Sequence, residues 1–329
     1  MPTRTSGLSE HEVIMLPGGV LPAELAYAAL LEALGDAVEP VAKDLEVYAD
    51  AEPPAGYTFA VEVEGILRTA EAAGFDRFHL VGYSAGGASS LAFAASHPER
   101  LRSLALLEPA WAGNEGLDPA EEAVRRELDR IRTLPPAQLM PAFVRAQLRR
   151  DVEPPPPPPR PMPPWMQKRP AGLKAVMAAF SAGELDLEAF RRFRRPVYFA
   201  LGGLSAPDYY RKMAVRLARV FPDFTLETFE GRHHFDPPHR AEPERLTASL
   251  RNLWARAEAA LPAAHQPPSA SYAAGAVPPS GGRRSIPRMV SSSRSTMETS
   301  ITTTAGRRLG SGEMHPVTLA SPGCPTLRG

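Results

Sequence analysis

The chain has 329 residues, of which 43% are hydrophobic, so it is long enough for one large domain or two ordinary ones. Its 37 basic and 37 acidic residues give a net charge of zero, so the composition shows no excess of basic residues of the kind that indicates binding to nucleic acid or to anionic membranes. A single cysteine, Cys324, excludes an intrachain disulfide. No stretch is apolar enough for a signal peptide or a membrane span, so we expect a soluble, cytoplasmic protein.

The first part of the chain alternates between apolar runs and helical patterns. In chain order, strands are predicted at 12–16, 36–45, 77–83 and 101–108, and helices at 22–34, 57–74 and 85–97. Gly74 fits the C-cap of the second helix. This alternation predicts an α/β fold, with a mostly parallel sheet that is covered by helices on both faces.

The alternation stops between residues 113 and 192, where only helices are predicted. A proline run at 153–165 lies among these helices and is expected to be an exposed polyproline II spacer. Strand patterns return at 196–203 and 224–229, and the last helix is predicted at 243–261. The sequence therefore predicts a helical insertion late in the sheet.

These patterns divide the chain into three parts. Residues 1–112 and 193–264 are predicted to form the α/β core, and residues 113–192 to form a helical cap. Residues 265–329 are rich in Ser, Thr, Gly and Pro and have almost no periodic apolar positions. Such a segment buries too little apolar surface to offset the entropy lost on folding, so the tail is predicted to be disordered.

One short segment has a pattern that neither a buried strand nor a helix start explains. Gly82-Tyr83-Ser84-Ala85-Gly86 lies where an apolar strand ends and a helix of small residues begins. Glycines permit a very tight turn, and such a turn exposes one hydroxyl beside the N-terminal amides of the next helix. Ser84 is therefore predicted to be a nucleophile, and a glycine-rich turn capped by a serine is the alternative.

This segment, the order of strands and helices, the insertion and a late histidine segment together resemble the α/β-hydrolase superfamily over residues 11–260. The likeness is to its capped lipase-like and esterase-like members. It implies a Ser–His–acid triad that acts on a small molecule and needs no metal or organic cofactor. It also implies a histidine after the last strand, in "TFEGRHHFDPPHR". The spacing from Gly231 and the following Phe235 favour His234 over His233.

The resemblance leaves two places for the acid. The usual place follows the strand at 196–203, where Ser205 replaces the expected Asp and Asp208 lies three residues further on. These two residues also fit a capping box. Haloalkane dehalogenase-like members place the acid one strand earlier, which here is Glu108, and a glutamate at a buried strand end needs a partner. We predict Glu108, with Asp208 as the alternative. Those dehalogenases use an aspartate nucleophile, so Ser84 argues against dehalogenation.

The resemblance also implies two backbone amides that bind a developing oxyanion. Ala85, directly after the nucleophile, supplies one of them. Gly19, in the loop after the first strand, supplies the other, and Val20 is the alternative. Tyr83 and Trp111 are predicted to line the substrate pocket, with core packing as the alternative for both.

Together these features predict a serine hydrolase that cleaves an ester or related acyl bond of a small, largely apolar substrate. Two alternatives stay open. The same triad also serves enzymes that cleave a carbon–carbon bond or transfer an acyl group. A hydrolase fold also serves as a binding module that holds a small molecule without turnover. The sequence does not indicate the oligomeric state.

Overall fold

The computed structural model describes residues 11–157 and 161–260. All the predicted site residues lie within these ranges. The tail predicted to be disordered, 265–329, and Cys324 lie outside the described residues, so both of those predictions stay untested. Within the described ranges, no helix combines the length and the apolar character that crossing a bilayer requires.

In the described part of the chain, six strands form one sheet in the order β2-β1-β3-β4-β5-β6. The strands are β1 (His11–Leu16), β2 (Val38–Ala42), β3 (Phe78–Tyr83), β4 (Leu101–Leu107), β5 (Val197–Gly202) and β6 (Phe224–Phe229). Every neighbouring pair is parallel, which confirms the predicted α/β class. The central strands are apolar at nearly every position because a parallel sheet is covered on both faces.

Helices connect the strands and cover the sheet. They are α1 (Ala23–Leu34), α2 (Phe59–Ala73), α3 (Ala85–Ser96), α4 (Pro119–Arg132), α5 (Pro136–Ala146), α6 (Arg169–Ala182), α7 (Leu187–Phe190), α8 (Lys212–Ala218), α9 (Pro238–Ala241) and α10 (Pro243–Ala259). Helix α2 ends as predicted, with Gly74 in the left-handed conformation at φ 77° and its N–H bonded to the last carbonyls.

The two faces of the sheet have separate apolar cores. Successive strand residues point to opposite faces, so Leu104 packs on one side and Ala105 on the other. The first core includes Ile66 of α2 and the small residues of α3. The second core includes Tyr27 of α1 and Trp254 of α10. Burial on both sides holds the strand ends, and the loops that follow them, in place.

The insertion between β4 and β5 contains α4 to α7 and no strand among its described residues. Helix α4 begins at Asp118, whose carboxylate accepts two N–H groups of the first turn, while the Glu121 side chain accepts the Asp118 N–H. The alternative capping box at Ser205 and Asp208 is not formed. The Ser205 hydroxyl has no hydrogen-bond partner in the described part of the chain, and one π-helical turn, Pro207–Arg211, precedes α8.

Candidate active site

The predicted site residues lie at the ends of strands or in the segments that follow them. Ser84 follows β3, Glu108 follows β4, His234 lies in the loop after β6, and Gly19 lies in the loop after β1. Parallel strands end at the same edge, and ligand-binding residues of such sheets collect outside that edge. The sheet topology therefore brings four distant parts of the sequence to one place.

Ser84, His234 and Glu108 form a continuous chain of polar contacts. The Ser84 Oγ lies 2.9 Å from the His234 Nε2, and the His234 Nδ1 lies 3.1 Å from the Glu108 Oε2. The other carboxylate oxygen, Glu108 Oε1, accepts the backbone N–H of Gly202 at 2.8 Å. All three side chains are at most 5% exposed. With the proton of the imidazole on Nδ1, the lone pair of Nε2 faces the hydroxyl of Ser84.

Asp208 and His233 occupy other positions. Asp208 is exposed on the π-helical turn after β5, and no hydrogen bond joins it to His234 in the described structure. The His233 Nδ1 accepts the N–H groups of Phe235 and Asp236 at 3.2 and 3.1 Å, so its ring shapes the loop. The geometry therefore brings Glu108, and not Asp208, into contact with the imidazole of His234.

The backbone is strained at both Ser84 and Glu108. Their φ angles are 52° and 45°, in the left-handed region that residues with a Cβ rarely adopt. Each such residue costs about 1–3 kcal/mol, and it persists only where its surroundings hold it. The Ser84 N–H donates to the carbonyl of Leu107 at 3.1 Å, and the Glu108 N–H donates to the carbonyl of Ala200 at 3.2 Å. These bonds fix both residues at the ends of their strands.

Glycines allow the loop after β1 to contact the start of α3. A Cβ added to Gly86 would collide with the carbonyl group of Leu16, and one added to Gly18 would lie 2.7 Å from the ring of Tyr83. The Gly86 N–H donates to the carbonyl of Pro17 at 3.0 Å. The two loops therefore touch backbone to backbone, which is why small residues are needed on both sides of the serine.

Two sets of backbone amides flank Ser84. Gly19 and Val20 line the same pocket as Ser84, and the Tyr48 hydroxyl donates to the carbonyl of Gly19 at 2.7 Å. Ala85 is the first residue of α3, where N–H groups have no acceptor within the helix. The predicted amide donors thus lie in the pocket wall and next to the serine in the chain.

Two tyrosines hold His234 in place. The Tyr83 hydroxyl donates to the carbonyl of His234, and the ring of Tyr210 stacks on the imidazole with centroids 4.6 Å apart. The Tyr210 hydroxyl donates to Gln147 at 2.6 Å. Burial, and then the charge of Glu108, raise the pKa of both phenols well above the ordinary value, so both stay neutral donors. Tyr210 was not predicted from the sequence, because nothing in its local pattern indicates contact with a distant histidine.

A pocket opens onto Ser84 and His234. Its cavity volume is about 50 Å³, and one wall residue, Phe143, comes from α5 of the insertion. Its other lining residues are Gly18, Gly19, Val20, Leu21, Ala26, Tyr83, Phe235, His239 and Arg240. Around this pocket, the described residues include no three His, Cys, Asp or Glu side chains spaced to bind a metal ion. The wall is mostly apolar, as is usual for small-molecule sites.

Tyr83 lines this pocket, whereas Trp111 does not. Its indole stacks on Phe59 and Phe180 at 5.1 and 6.3 Å between centroids, and its N–H donates to Asn114 at 2.8 Å. The Asn114 amide in turn donates to the carbonyls of Phe180 and Gly183, both at 2.9 Å. Trp111 therefore joins the insertion to the core, which was the alternative interpretation.

His239 lines the pocket from α9, and this position was also not predicted from the sequence. Its ring lies between Tyr27 and Tyr83, with centroids at 5.1 and 4.6 Å. It is fully buried, and neither ring nitrogen has a hydrogen-bond partner among the residues that the structure describes. Burial lowers the pKa of His239 to about 3, and the charges of Arg240 and His234 act in the same direction. The imidazole is therefore neutral near pH 7.

Comparison with known proteins agrees with this fold. The model of the alpha/beta hydrolase family matches residues 13–250. Among known proteins, haloalkane dehalogenase 2 of Mycobacterium tuberculosis strain H37Rv is 26% identical over 252 residues, which cover 68% of this chain and 81% of that protein.

Solved structures of the same fold include several esterases. A carboxylesterase of Nitrososphaera gargenis superposes with a TM-score of 0.59 at 16% identity, covering 77% of this chain and 92% of that one. An esterase of Exiguobacterium antarcticum gives 0.58 at 17%, covering 75% and 92%. A thermophilic esterase of Thermogutta terrifontis gives 0.56 at 19%, covering 75% and 90%. At these identities the likeness concerns the fold alone.

Proposed function

Since the chain belongs to the alpha/beta hydrolase family, we propose that it is a serine hydrolase that cleaves an ester or related acyl bond of a small, largely apolar substrate. The observation that carries the proposal is the contact chain from Ser84 through His234 to Glu108 at the floor of an apolar pocket. A neutral hydroxyl is a weak nucleophile at pH 7, and it needs a base within hydrogen-bond reach and a group that orients the base.

In the first half of the reaction, the Ser84 Oγ attacks the acyl carbonyl while its proton passes to the His234 Nε2. Glu108 accepts from Nδ1–H and stabilises the imidazolium that results. The tetrahedral intermediate collapses, and the alcohol leaves with the proton from His234. In the second half, His234 takes a proton from water, which attacks the acyl-enzyme. The second tetrahedral intermediate then collapses as His234 returns this proton to the Ser84 Oγ, and the acid leaves. Glu108 keeps its position because Gly202 binds its second oxygen at 2.8 Å.

The oxyanion of each intermediate is held by the N–H groups of Ala85 and Gly19, with Val20 as the alternative to Gly19. The positive end of the α3 dipole acts on the same oxygen. Tyr48 supports this arrangement, because its hydroxyl fixes the carbonyl of Gly19 at 2.7 Å and with it the peptide plane that carries the N–H of Val20.

Residues 113–192 serve as the cap in this proposal. Phe143 of the insertion forms part of the pocket wall and packs against Phe235, with centroids 6.3 Å apart. Gln147, at the end of α5, accepts the hydroxyl of Tyr210, whose ring stacks on His234. The cap thus excludes water from the acyl group and also contacts the residue that supports the base. Apolar walls favour an apolar acyl chain.

Dehalogenation is not part of the proposal. The dehalogenase relative is 26% identical, and the position that its resemblance assigns to a nucleophilic aspartate holds Ser84 in this chain. A carboxylate displaces halide directly from carbon, whereas a serine hydroxyl paired with a histidine is suited to attack on a carbonyl.

The test combines labelling with turnover. The purified chain is incubated with a fluorophosphonate, and the adduct is mapped by mass spectrometry in the wild type, in Ser84→Ala and in Ser96→Ala. Ser96 is the matched control, because it lies exposed at the far end of α3. We expect one adduct, on Ser84, in the wild type and in Ser96→Ala. In parallel, p-nitrophenyl esters of increasing acyl length should be hydrolysed to the free acid and p-nitrophenol.

A folded wild-type chain without an adduct would overturn the proposal and would favour a binding module. An adduct on Ser84 without hydrolysis of any ester, but with transfer to an added alcohol or cleavage of a β-diketone, would replace the ester hydrolase with an acyltransferase or a carbon–carbon hydrolase.

A further inference from the structure

A second group of polar side chains lies at the amino edge of the sheet, opposite the edge that carries Ser84. His11 is the first residue of β1, His79 is the second residue of β3, and Glu258 lies in the last turn of α10. One donor atom from each of them lies within 4.8 Å of the other two. His11, His79 and Glu258 are termed the amino-edge cluster below.

The fold brings these residues together through strand register and helix packing. Val13 of β1 pairs with His79 of β3, and His11, two residues before Val13, points to the same face. Helix α10 covers this face. Its residue Trp254, one turn before Glu258, contacts the rings of His11 and His79 with centroids 5.1 and 5.5 Å apart. The indole thus forms an apolar wall beside the cluster.

His79 has the environment of a metal-binding imidazole. It is fully buried, and its Nδ1 lies 2.8 Å from the hydroxyl of Ser103, which fixes the ring orientation. Its Nε2 has no hydrogen-bond partner among the described residues and lies 3.5 Å from the Oε1 of Glu258. Two ligand atoms of a tetrahedral Zn²⁺ site are separated by about 3.4 Å, so this pair already has the required spacing.

We infer that the amino-edge cluster binds a divalent transition-metal ion, Zn²⁺ in particular, through two imidazoles and one carboxylate. Nitrogen donors with one oxygen suit Zn²⁺ better than Ca²⁺ or Mg²⁺, which prefer oxygen ligands. Water completes the tetrahedron. His11 and Glu258 are partly exposed, which gives the ion a path from solvent. The ion joins β1, β3 and α10 and so stabilises the folded chain, independently of the reaction at Ser84.

Arg102 competes with the proposed ion for the carboxylate of Glu258. Substitutions are therefore expected both to weaken and to strengthen metal binding. Its guanidinium donates to the Oε1 of Glu258 at 3.0 Å and to the Oε2 of Glu12 at 3.2 Å. A bound cation competes with the first of these pairs, while the second keeps the guanidinium paired. Removing the guanidinium therefore frees the carboxylate of Glu258 and should strengthen metal binding.

The experiment uses the full chain, stripped with EDTA and exchanged into chelator-free buffer. Zn²⁺ alone is titrated by calorimetry, and Tm is measured with and without it. We expect one equivalent to bind and Tm to rise by roughly 5–10 °C at a hundredfold excess over Kd. Glu258→Gln and His11→Gln should each weaken binding at least tenfold. His97→Gln, which removes a partly exposed histidine elsewhere, is the matched control and should bind as the wild type does.

Arg102→Gln should bind Zn²⁺ several-fold more tightly than the wild type, which keeps the test open if a ligand variant fails to fold. The inference is overturned if millimolar Zn²⁺ neither binds nor raises Tm. It is equally overturned if Glu258→Gln and His11→Gln bind as the wild type does, because the ion would then lie elsewhere on the chain.

Discussion

A serine, a histidine and a glutamate meet at both edges of the same sheet. At the carboxyl edge, Ser84, His234 and Glu108 are joined by contacts of 2.9 and 3.1 Å. At the amino edge, Ser103 and His79 are 2.8 Å apart, and the second ring nitrogen lies 3.5 Å from a glutamate oxygen of the amino-edge cluster. The residue types are identical and the distances are similar, so neither property separates a catalytic set from a structural one.

The two serines differ in their backbone conformation and in their access to a pocket. Ser84 stands on a strained turn at φ 52° and opens into a pocket, whereas Ser103 is fully buried within β4. Amide N–H groups without helical acceptors follow Ser84, while strand pairing occupies the backbone beside Ser103. Burial lowers the pKa of His79 to about 2, so its imidazole is a poor proton acceptor. The chemistry proposed for Ser84 therefore depends on the turn and the pocket that surround the three side chains.

The largest expected effect separates the two serines. Ser84→Ala should lower kcat/KM for an ester on the order of 10⁵- to 10⁶-fold, because the nucleophile is lost, with a change of less than about 1 kcal/mol in the free energy of unfolding. Ser103→Ala should instead affect stability and not activity. It should keep turnover and cost about 1–3 kcal/mol, because it leaves the Nδ1 of His79 buried without a partner. Initial rates of ester hydrolysis give kcat/KM for both variants, and urea unfolding gives their free energies of unfolding. Equal stability losses in the two variants would contradict the comparison.

The next effect concerns the acid. Glu108→Gln should lower kcat by about 10³- to 10⁴-fold, because a neutral amide stabilises the imidazolium of His234 far less than a carboxylate does and permits the wrong tautomer. Asp208→Asn is the matched control and should stay within about twofold of the wild type, because Asp208 is exposed and away from the imidazole. Steady-state kinetics on one ester test both. A larger loss in Asp208→Asn than in Glu108→Gln would assign the acid to the other loop.

The smallest effect concerns stability against pH at His239. Its folded pKa of about 3 lies below the unfolded value of about 6.5, so the unfolded chain binds the extra proton between these values. Stability is therefore lost as the pH falls below about 6.5, by up to about 1.4 kcal/mol per pH unit from this histidine. His239→Phe should flatten this acid dependence in urea unfolding between pH 7 and pH 4. If the free energy of unfolding varies with pH in the same way in His239→Phe as in the control His97→Gln, His239 would instead be protonated in the folded chain over this pH range.

Most of the carboxyl edge was predictable because its residues sit in local patterns. Gly82 to Gly86 follow an apolar strand, and Gly231 places a histidine after the last one. The choice between Glu108 and Asp208 was not local, because it depends on which loop reaches the imidazole across the sheet. The choice between the two interpretations of Trp111 was not local either. An aromatic residue after a strand is compatible with a pocket wall or with a core, and only the packing of Phe180 against its ring distinguishes them.

The amino edge was not predictable from sequence. His11, His79 and Glu258 are separated by up to 247 positions, and each of them alone has the pattern of a surface or packing residue. Only the register of β1 against β3 and the path of α10 bring their donor atoms within 4.8 Å. His239 and Tyr210 likewise became site residues through contacts that no spacing rule contains.

The sequence by itself determined the α/β class, the order of strands and helices and the strained turn at Ser84, because apolar periodicity and glycine positions act over a few residues. The tertiary structure alone decided which carboxylate meets His234, which aromatic rings line the pocket and which polar groups gather at the amino edge. The physical reason is that sequence patterns act over a few neighbouring residues, whereas these contacts do not depend on separation along the chain. Hydrogen bonds and ring contacts join residues by distance in space, and parallel strands bring together residues that lie far apart in the chain.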